Sequence, residues 1–260
     1  MPTPLEILLD PISIVLFTIY GALIMLEWLF PGRTQPSVKG WITRSMIAFT
    51  CYFYLSTYLP LLWDQYLTPY QLFDLSQSNI YLSTFVSLLV FELLIYVWHR
   101  SMHKNNQLWL IFHQMHHSAE RHDSLGAFYF SPMDMIGFTM VGSLALALIV
   151  GLAPQAISWF LYITMFLAVF QHANIRTPQW LGYIIQRPES HSVHHEKGLH
   201  AYNYSDLPIF DILFGTFRNP KEFRKEVGFY HGASSRIPEM LIFRDVSKEP
   251  MENSAEQVVS

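Results

Sequence analysis

Eight histidines fall into three tight clusters, each placed where a long apolar stretch ends: His99-x-x-x-His103, His113-x-x-His116-His117 and His191-x-x-His194-His195. Spacings of three and four put side chains on one face of a helix. Neutral imidazoles converging from such faces are good ligands for a transition metal. A closed structural zinc site needs about four ligands, so eight imidazoles point to two ions. His172, which ends another apolar stretch in Gln171-His172-Ala173-Asn174, is a ninth candidate ligand, and Asn174 beside it a candidate ligand or water-holder. So many imidazoles with so few carboxylates suit two iron ions with positions left open for dioxygen. The isolated His122, His200 and His231 read as ordinary residues, although His122 and His200 lie close enough in sequence to support the ligands.

Glu92 is the carboxylate of most interest. It lies two helical turns before His99, on the same face and inside an apolar run. An ionisable group there is costly and faces a partner or the bundle interior. It is expected to orient a ligating imidazole or to touch the substrate, and it is the one candidate catalytic side chain. Asp123, Glu189, Glu196, Asp206 and Asp211 are further candidate orienters of the imidazoles. Other chemistries are excluded. The only His-Glu pair, His195-Glu196, lacks the later histidine of a zincin, and no Gly-x-Ser-x-Gly elbow is present. The single Cys51 rules out an internal disulfide, a four-cysteine iron–sulfur cluster and a cysteine-rich zinc site.

The elements that must position these residues are membrane helices. Of the 260 residues 51% are hydrophobic and only 14% charged, against about 25% charged in soluble domains; mean hydropathy is +0.22. Apolar residues concentrate in five stretches near 12–30, 45–63, 80–98, 135–152 and 155–172, each about the 20 residues a span requires. The last two are joined by the tight Gly151-Leu152-Ala153-Pro154 connection. With the N-terminus outside, all 16 Lys and Arg fall on one side, which the positive-inside rule makes cytoplasmic. Trp28, Trp41, Trp98 and Trp180 then sit near the inner boundary and Trp63 near the outer one. The same topology places all three clusters on the cytoplasmic side. The first span, without a basic leader, does not read as a cleaved signal peptide. The expectation is an all-α integral membrane protein of four to five transmembrane helices with a cytoplasmic helical cap. Residues 1–243 form one catalytic domain, with a His-box region at 99–217 and a polar, disordered tail at 244–260. A net charge of −4 gives no reason to expect nucleic acid.

Residues 88–220 resemble the fatty acid hydroxylase/sterol desaturase superfamily of membrane di-iron oxygenases. The likeness is carried by the three boxes, the Tyr96-Val97-Trp98-His99-Arg100 lead-in, the short gap from His103 to His113, Asn203-Tyr204, and the run from Phe210 to Phe217. Acyl-CoA desaturases differ, with a longer first box and a wider gap. The resemblance implies a helical bundle, two irons and O2-dependent attack on a lipid C–H bond, with the eight box histidines as ligands and Glu92 at an acidic position often found there. Hydroxylation is expected ahead of desaturation. With no dinucleotide fingerprint or heme module in the chain, electrons must come from a separate reductase or carrier docking on the cytoplasmic side. Lys221, Arg224 and Lys225 are a candidate contact for it, or a solvated charge run beside lipid head groups. A metal transporter would need ionisable groups along a mid-membrane path, whereas these histidines gather at one boundary. A bis-His heme leaves adjacent pairs such as His116-His117 unexplained, and a non-catalytic metal-binding protein would show no turnover. The tail carries no retrieval signal for the endoplasmic reticulum, which favours a bacterial inner membrane over that compartment.

Overall fold

Each long helix starts on a stop-and-cap signal written in the sequence. The computed structural model describes residues 1–249. Thr3 and Glu6 form a reciprocal capping box on α1, Pro4–Leu9. Asp10 then caps α2, Pro11–Leu29, by accepting from the Ile12 N–H at 2.8 Å. Gly40, at φ 70°, turns the chain into α3, Trp41–Leu67, which continues through Pro60. Asn79 caps α4, Ile80–Lys104, by accepting from the Tyr81 and Leu82 N–H groups. Ser131 with Pro132 opens α7, Pro132–Ser143, which runs on as a π-helical segment Leu144–Ile149. Pro154 opens α8, Pro154–His172. Between α4 and α7 lie the short α5, Asn106–Leu108, a π turn, Trp109–His113, and α6, Gln114–His117. After α8 come α9, Pro188–His194, α10, Ile209–Leu213, and α11, Ile237–Leu241.

Five of these segments are long and apolar enough to cross a membrane: Pro11–Leu29, Trp41–Tyr70, Ile80–Lys104, Pro132–Ile149 and Pro154–His172. They are apolar on nearly all faces. Residues such as Met25, Ile47, Phe85, Val97 and Trp159 stay exposed, as expected where lipid replaces water as the solvent. In the bundle α3 packs on α7, and α8 packs on both α2 and α4. Aromatic rings fill the interior where the bundle meets the loops: Tyr20 and Phe49 lie 4.3 Å apart, Tyr52 and Phe128 5.1 Å, and Trp41 and Tyr129 5.0 Å.

The spans match the hydropathy reading with two differences. The fourth gives up its helix at Val150–Gly151 (β2), which pairs in parallel with Phe73–Asp74 (β1) at the end of the bundle remote from the histidines. The approach is so close that a side chain at Gly151 would collide with Gln71. The packed chain also continues past the expected boundary at 243. Val246 is fully buried, and its N–H donates to Gln114 Oε1 at 3.3 Å. Residues 250–260 of the expected tail lie outside the described residues.

Candidate metal centre

Nine histidines are delivered to one place by the ends of five short or long helical elements. α4 contributes His99 and His103 from its last turns. The π turn ends on His113, α6 carries His116 and His117, α8 ends on His172, and α9 carries His191 and His194 with His195 directly after it. A π turn widens the helix and recurs at functional sites because it re-aims side chains. Here it places the His113 ring against His99 and His103 of the first cluster, 4.6 and 5.2 Å between ring centres.

The rings sort into two sets. His99, His103, His113, His117 and His194 offer one ligand nitrogen each within 4.8 Å of one another, and His116, His172, His191 and His195 do the same. With metal–nitrogen bonds of about 2.1 Å, two nitrogens on one ion are at most about 4.2 Å apart, so each set needs only a slight contraction to close on an ion. The inward atoms are Nε2: His99 to His113 at 2.8 Å, His116 to His172 at 3.1 Å, His172 to His191 at 3.1 Å, and His191 to His195 at 3.2 Å. Burial first, with neighbouring imidazoles adding to it, holds His113, His116, His117, His191, His194 and His195 well below the usual histidine range. These rings are therefore neutral near pH 7 and present lone pairs. Facing lone pairs repel unless a cation lies between them, so the donor set fits two metal ions. All-imidazole ligation suits zinc, copper, iron or nickel.

The outward nitrogens fix the tautomers. His99 and His194 donate through Nδ1 to the carbonyls of Tyr204 and Tyr202, each at 2.7 Å, and His172 to Ala168 O at 2.7 Å. His113 Nδ1 meets Asp134 Oδ2 at 2.8 Å, and His117 Nδ1 meets His200 Nδ1 at 3.1 Å. Such outer partners orient ligands and raise their basicity. The loop that supplies two of them is strained, with φ of 44°, 71° and 50° at His200, Tyr202 and Asn203. It is held by Asn203, whose side chain donates to Ser190 O and Arg218 O at 2.7 and 2.9 Å. Asp211 holds it too, accepting from the Tyr204 and Ser205 N–H groups at 2.9 and 3.0 Å. Left-handed backbone at non-glycine residues costs energy and persists where the surroundings enforce it.

α9 is anchored by Arg187, which is fully buried. It donates to Thr177 Oγ1, Thr177 O, Asn219 Oδ1 and Pro220 O at 2.9, 2.8, 2.7 and 3.1 Å, and pairs with Glu189 at 3.0 Å.

Several expected roles are corrected by this geometry. Glu92 does not bond an imidazole: its Oε2 accepts from the backbone N–H groups of Asp206 and Leu207 at 2.9 and 3.0 Å. The same loop supplies the Tyr204 carbonyl that binds His99 Nδ1 at 2.7 Å, so Glu92 bears on the ring only through the loop. Asn174 faces away from the rings and clasps Arg33, donating to its carbonyl at 2.7 Å and accepting from its N–H at 3.1 Å. None of the five acidic candidate orienters bonds an imidazole. Asp123 binds Trp41 and Arg121, Glu189 binds Arg187, Glu196 binds Arg224, Asp206 accepts from Gln171, and Asp211 holds the loop. Among the described residues the carboxylate that does meet an imidazole is Asp134, which is not among the sequence-derived candidates. Its signal in the sequence is an acid on the histidine side of an apolar span, just behind Ser131-Pro132. His122, an ordinary residue by its sequence context, lies beside the ligand rings. It is 2% exposed, neither ring nitrogen has a partner among the described residues, and its ring stacks 5.6 Å from that of His172. His231 stays exposed.

Above the two sets lies a cavity of about 850 Å³, lined mostly by apolar side chains of α2, α3, α4, α7 and α8, with His99, His113, His116, His172 and His191 at its foot. Its size is that of a site for a substantial organic ligand.

The fatty acid hydroxylase family pattern matches residues 84–216, a stretch that holds all nine histidines. Curated relatives include ornithine lipid hydroxylase OlsE of Rhizobium tropici, 32% identical over 140 residues (52% of this chain, 41% of that protein). Very-long-chain aldehyde decarbonylase GL1-9 of Oryza sativa subsp. indica is 30% identical over 154 residues, covering 55% of this chain and 58% of that protein. Sphinganine C4-monooxygenase 1 of Arabidopsis thaliana is 27% identical over 126 residues, covering 47% and 48%. The matches thus span about half the length of these relatives, and no solved structure matches the chain. The matched stretch begins inside α4 and ends just after α10, so it takes in the whole histidine assembly: this chain is a membrane-embedded member of the fatty acid hydroxylase family.

Proposed function

We propose that the protein is a di-iron enzyme that uses O2 to hydroxylate a C–H bond of a lipid. The observation that carries the reading is the pair of histidine sets at the foot of an apolar cavity within a bundle of membrane helices. Two irons held there, one by His99, His103, His113, His117 and His194 and the other by His116, His172, His191 and His195, would supply the electron chemistry that activates O2 toward an unactivated C–H bond. The chain's own residues do the rest. Asp134, His200 and the carbonyls of Ala168, Tyr202 and Tyr204 keep the Nε2 lone pairs aimed inward. The mostly apolar wall of the cavity leaves a hydrocarbon chain as the fitting occupant. Glu92 positions the 204–207 loop rather than touching substrate. Two of the relatives are named as a hydroxylase and a monooxygenase, which supports hydroxylation ahead of desaturation.

The histidine end is read as cytoplasmic because all 16 Lys and Arg lie at that end or in the segments that follow α8. A separate electron donor would dock on that face, in a bacterial inner membrane by preference.

The test is metal content in detergent-purified protein, wild type beside His116→Ala and His194→Ala, followed by lipid analysis under ¹⁸O2. About two irons per chain in the wild type, reduced in each folded variant, together with a lipid product one labelled oxygen heavier, is the expected result. Purified protein that holds no iron after anaerobic reconstitution refutes the reading.

A further inference from the structure

The cavity is closed at the histidine end and open at the other. At its foot His99, His113, His116, Gln171, His172 and His191 are all buried, none more than 6% exposed. At the opposite end its lining includes Pro2, Glu6, Asp10, Leu61 and Thr68, all of them exposed. The way in therefore lies at the membrane face remote from the metal sets, between the α1–α2 corner and the last turns of α3.

The length of the passage follows from the helices that line it. On α8 the lining runs from Ile157 to His172 and on α3 from Phe49 to Asp64; at 1.5 Å per residue each interval is about 22 Å. One leaflet is about half of a ~30 Å hydrocarbon core, so a chain filling the passage crosses the bilayer midplane. Tetrahedral carbons joined by bonds of about 1.5 Å advance about 1.25 Å each, which makes 22 Å equal to about 17 carbons. The chemistry of the mouth restricts the polar end. Among the described residues no Lys or Arg lines the cavity; of its four acids Asp206 lies at the foot, where it accepts from Gln171, and Glu6, Asp10 and Asp64 lie at the mouth, where Asp64 Oδ1 is buried without a hydrogen-bond partner.

We propose that the substrate enters tail first from the membrane face opposite the histidines, its polar end staying at the Asp64 mouth, so that the carbon presented to the metal sets is about 17 carbons away. The substrate class is a lipid with a long hydrocarbon chain and a non-anionic polar end that donates hydrogen bonds, a hydroxyl or an amine. This inference depends on the lipid-oxidation reading only for what happens to that distant carbon.

Gly142 provides the test. It lines the cavity between mouth and foot, and a Cβ built on it meets nothing within 4 Å. A phenylalanine there grows into open space, and replacing a helical glycine relieves rather than adds backbone cost. Full-length protein in phosphatidylethanolamine vesicles is photolabelled with two C18 alcohols, one carrying a diazirine at carbon 3 and the other at carbon 17, and the labelled peptides are mapped by mass spectrometry. The carbon-17 probe is expected to label around Phe138, Met165 and Gln171, and the carbon-3 probe around Asp10, Asp64 and Gln71. Gly142→Phe should cut deep labelling by the carbon-17 probe at least tenfold while labelling at the mouth and iron content stay unchanged. A reversed pattern, no labelling of cavity residues, or deep labelling that survives Gly142→Phe overturns the proposal. Iron is measured on the same samples, so labelling as expected in protein that cannot hold iron defeats the oxygenase reading and leaves the mode of entry standing.

Discussion

Arg187 anchors α9, the helix that carries His191 and His194, and its removal has a calculable effect. Its guanidinium makes four hydrogen bonds and an ion pair with Glu189, and both side chains are essentially inaccessible to water. In Arg187→Met the apolar stem is kept and the charge is lost, so Glu189 remains as a buried carboxylate held only by the Thr177 N–H and hydroxyl at 2.7 Å each. Breaking a buried pair by deleting one partner costs about 3–5 kcal/mol. The orphaned Asn219 and Pro220 oxygens belong to the same network and do not add in full. A loss of about 4 kcal/mol is a large part of the 5–15 kcal/mol that holds a typical domain together.

The loss should concentrate in α9, which carries His191 and His194, with His195 directly after it, and so should loosen both sets at once. The assay is denaturant unfolding in detergent alongside iron retention on a chelating column. Arg187→Met should lower stability by about 4 kcal/mol, and iron should fall from both sites together. Arg187→Lys should recover little, because an ammonium cannot reproduce the forked donors. The double variant Arg187→Met with Glu189→Leu should be less destabilised than Arg187→Met alone, since no unpaired charge is left buried. A loss under about 1 kcal/mol in Arg187→Met, or strictly additive effects in the double variant, would refute the strut.

Three further outcomes are expected. Asp134→Ala should lower metal affinity about 10–100-fold by freeing His113 Nδ1, and Asp134→Asn less, because its amide oxygen still accepts; isothermal metal titration distinguishes them, and equal affinities would show that the carboxylate does not orient the ring. Metal-free protein should lose stability on acidification. The buried cap histidines titrate below their ordinary 6.5, so as pH falls through 6.5 the unfolded chain takes up protons that the folded chain refuses. Each such ring removes about 1.4 kcal/mol per pH unit until it titrates in the folded state, and a flat unfolding curve between pH 7 and 5 would contradict this. Glu92→Gln, which keeps an acceptor for the Asp206 and Leu207 N–H groups, should retain metal and most turnover, whereas Glu92→Ala should lose both; a Gln variant that holds iron but is inactive would put Glu92 on the substrate after all.

What the sequence made legible is what local rules govern. Helical spacing brings His191 to His194 and His195, and hydropathy marks the spans, so the five apolar helices and the meeting of the clusters at one end could be read without coordinates. The π turn at Trp109–His113 follows no local rule, nor does the extended pair at Phe73–Asp74 and Val150–Gly151, because both answer to neighbours far away in the chain. The acids show the limit most sharply. Asp123, Glu189, Glu196, Asp206 and Asp211 all stand near a histidine box in sequence, and all are spent on tryptophan, arginine, glutamine or backbone. An isolated carboxylate satisfies whichever donor the fold delivers first, and sequence distance does not say which that is.

The same reasoning explains why the outer partners of the rings are mostly carbonyls. A backbone carbonyl can fix an imidazole without placing a second titratable charge beside a metal, but only if the chain is bent to present it. Here the bend is the left-handed run at His200, Tyr202 and Asn203, held from both sides by Asn203 and Asp211. Glu92 holds the far end of that loop at Asp206 and Leu207. The buried acid that looks catalytic in sequence thus serves the metal sets from a distance, by keeping in place the carbonyl of Tyr204 that aims His99.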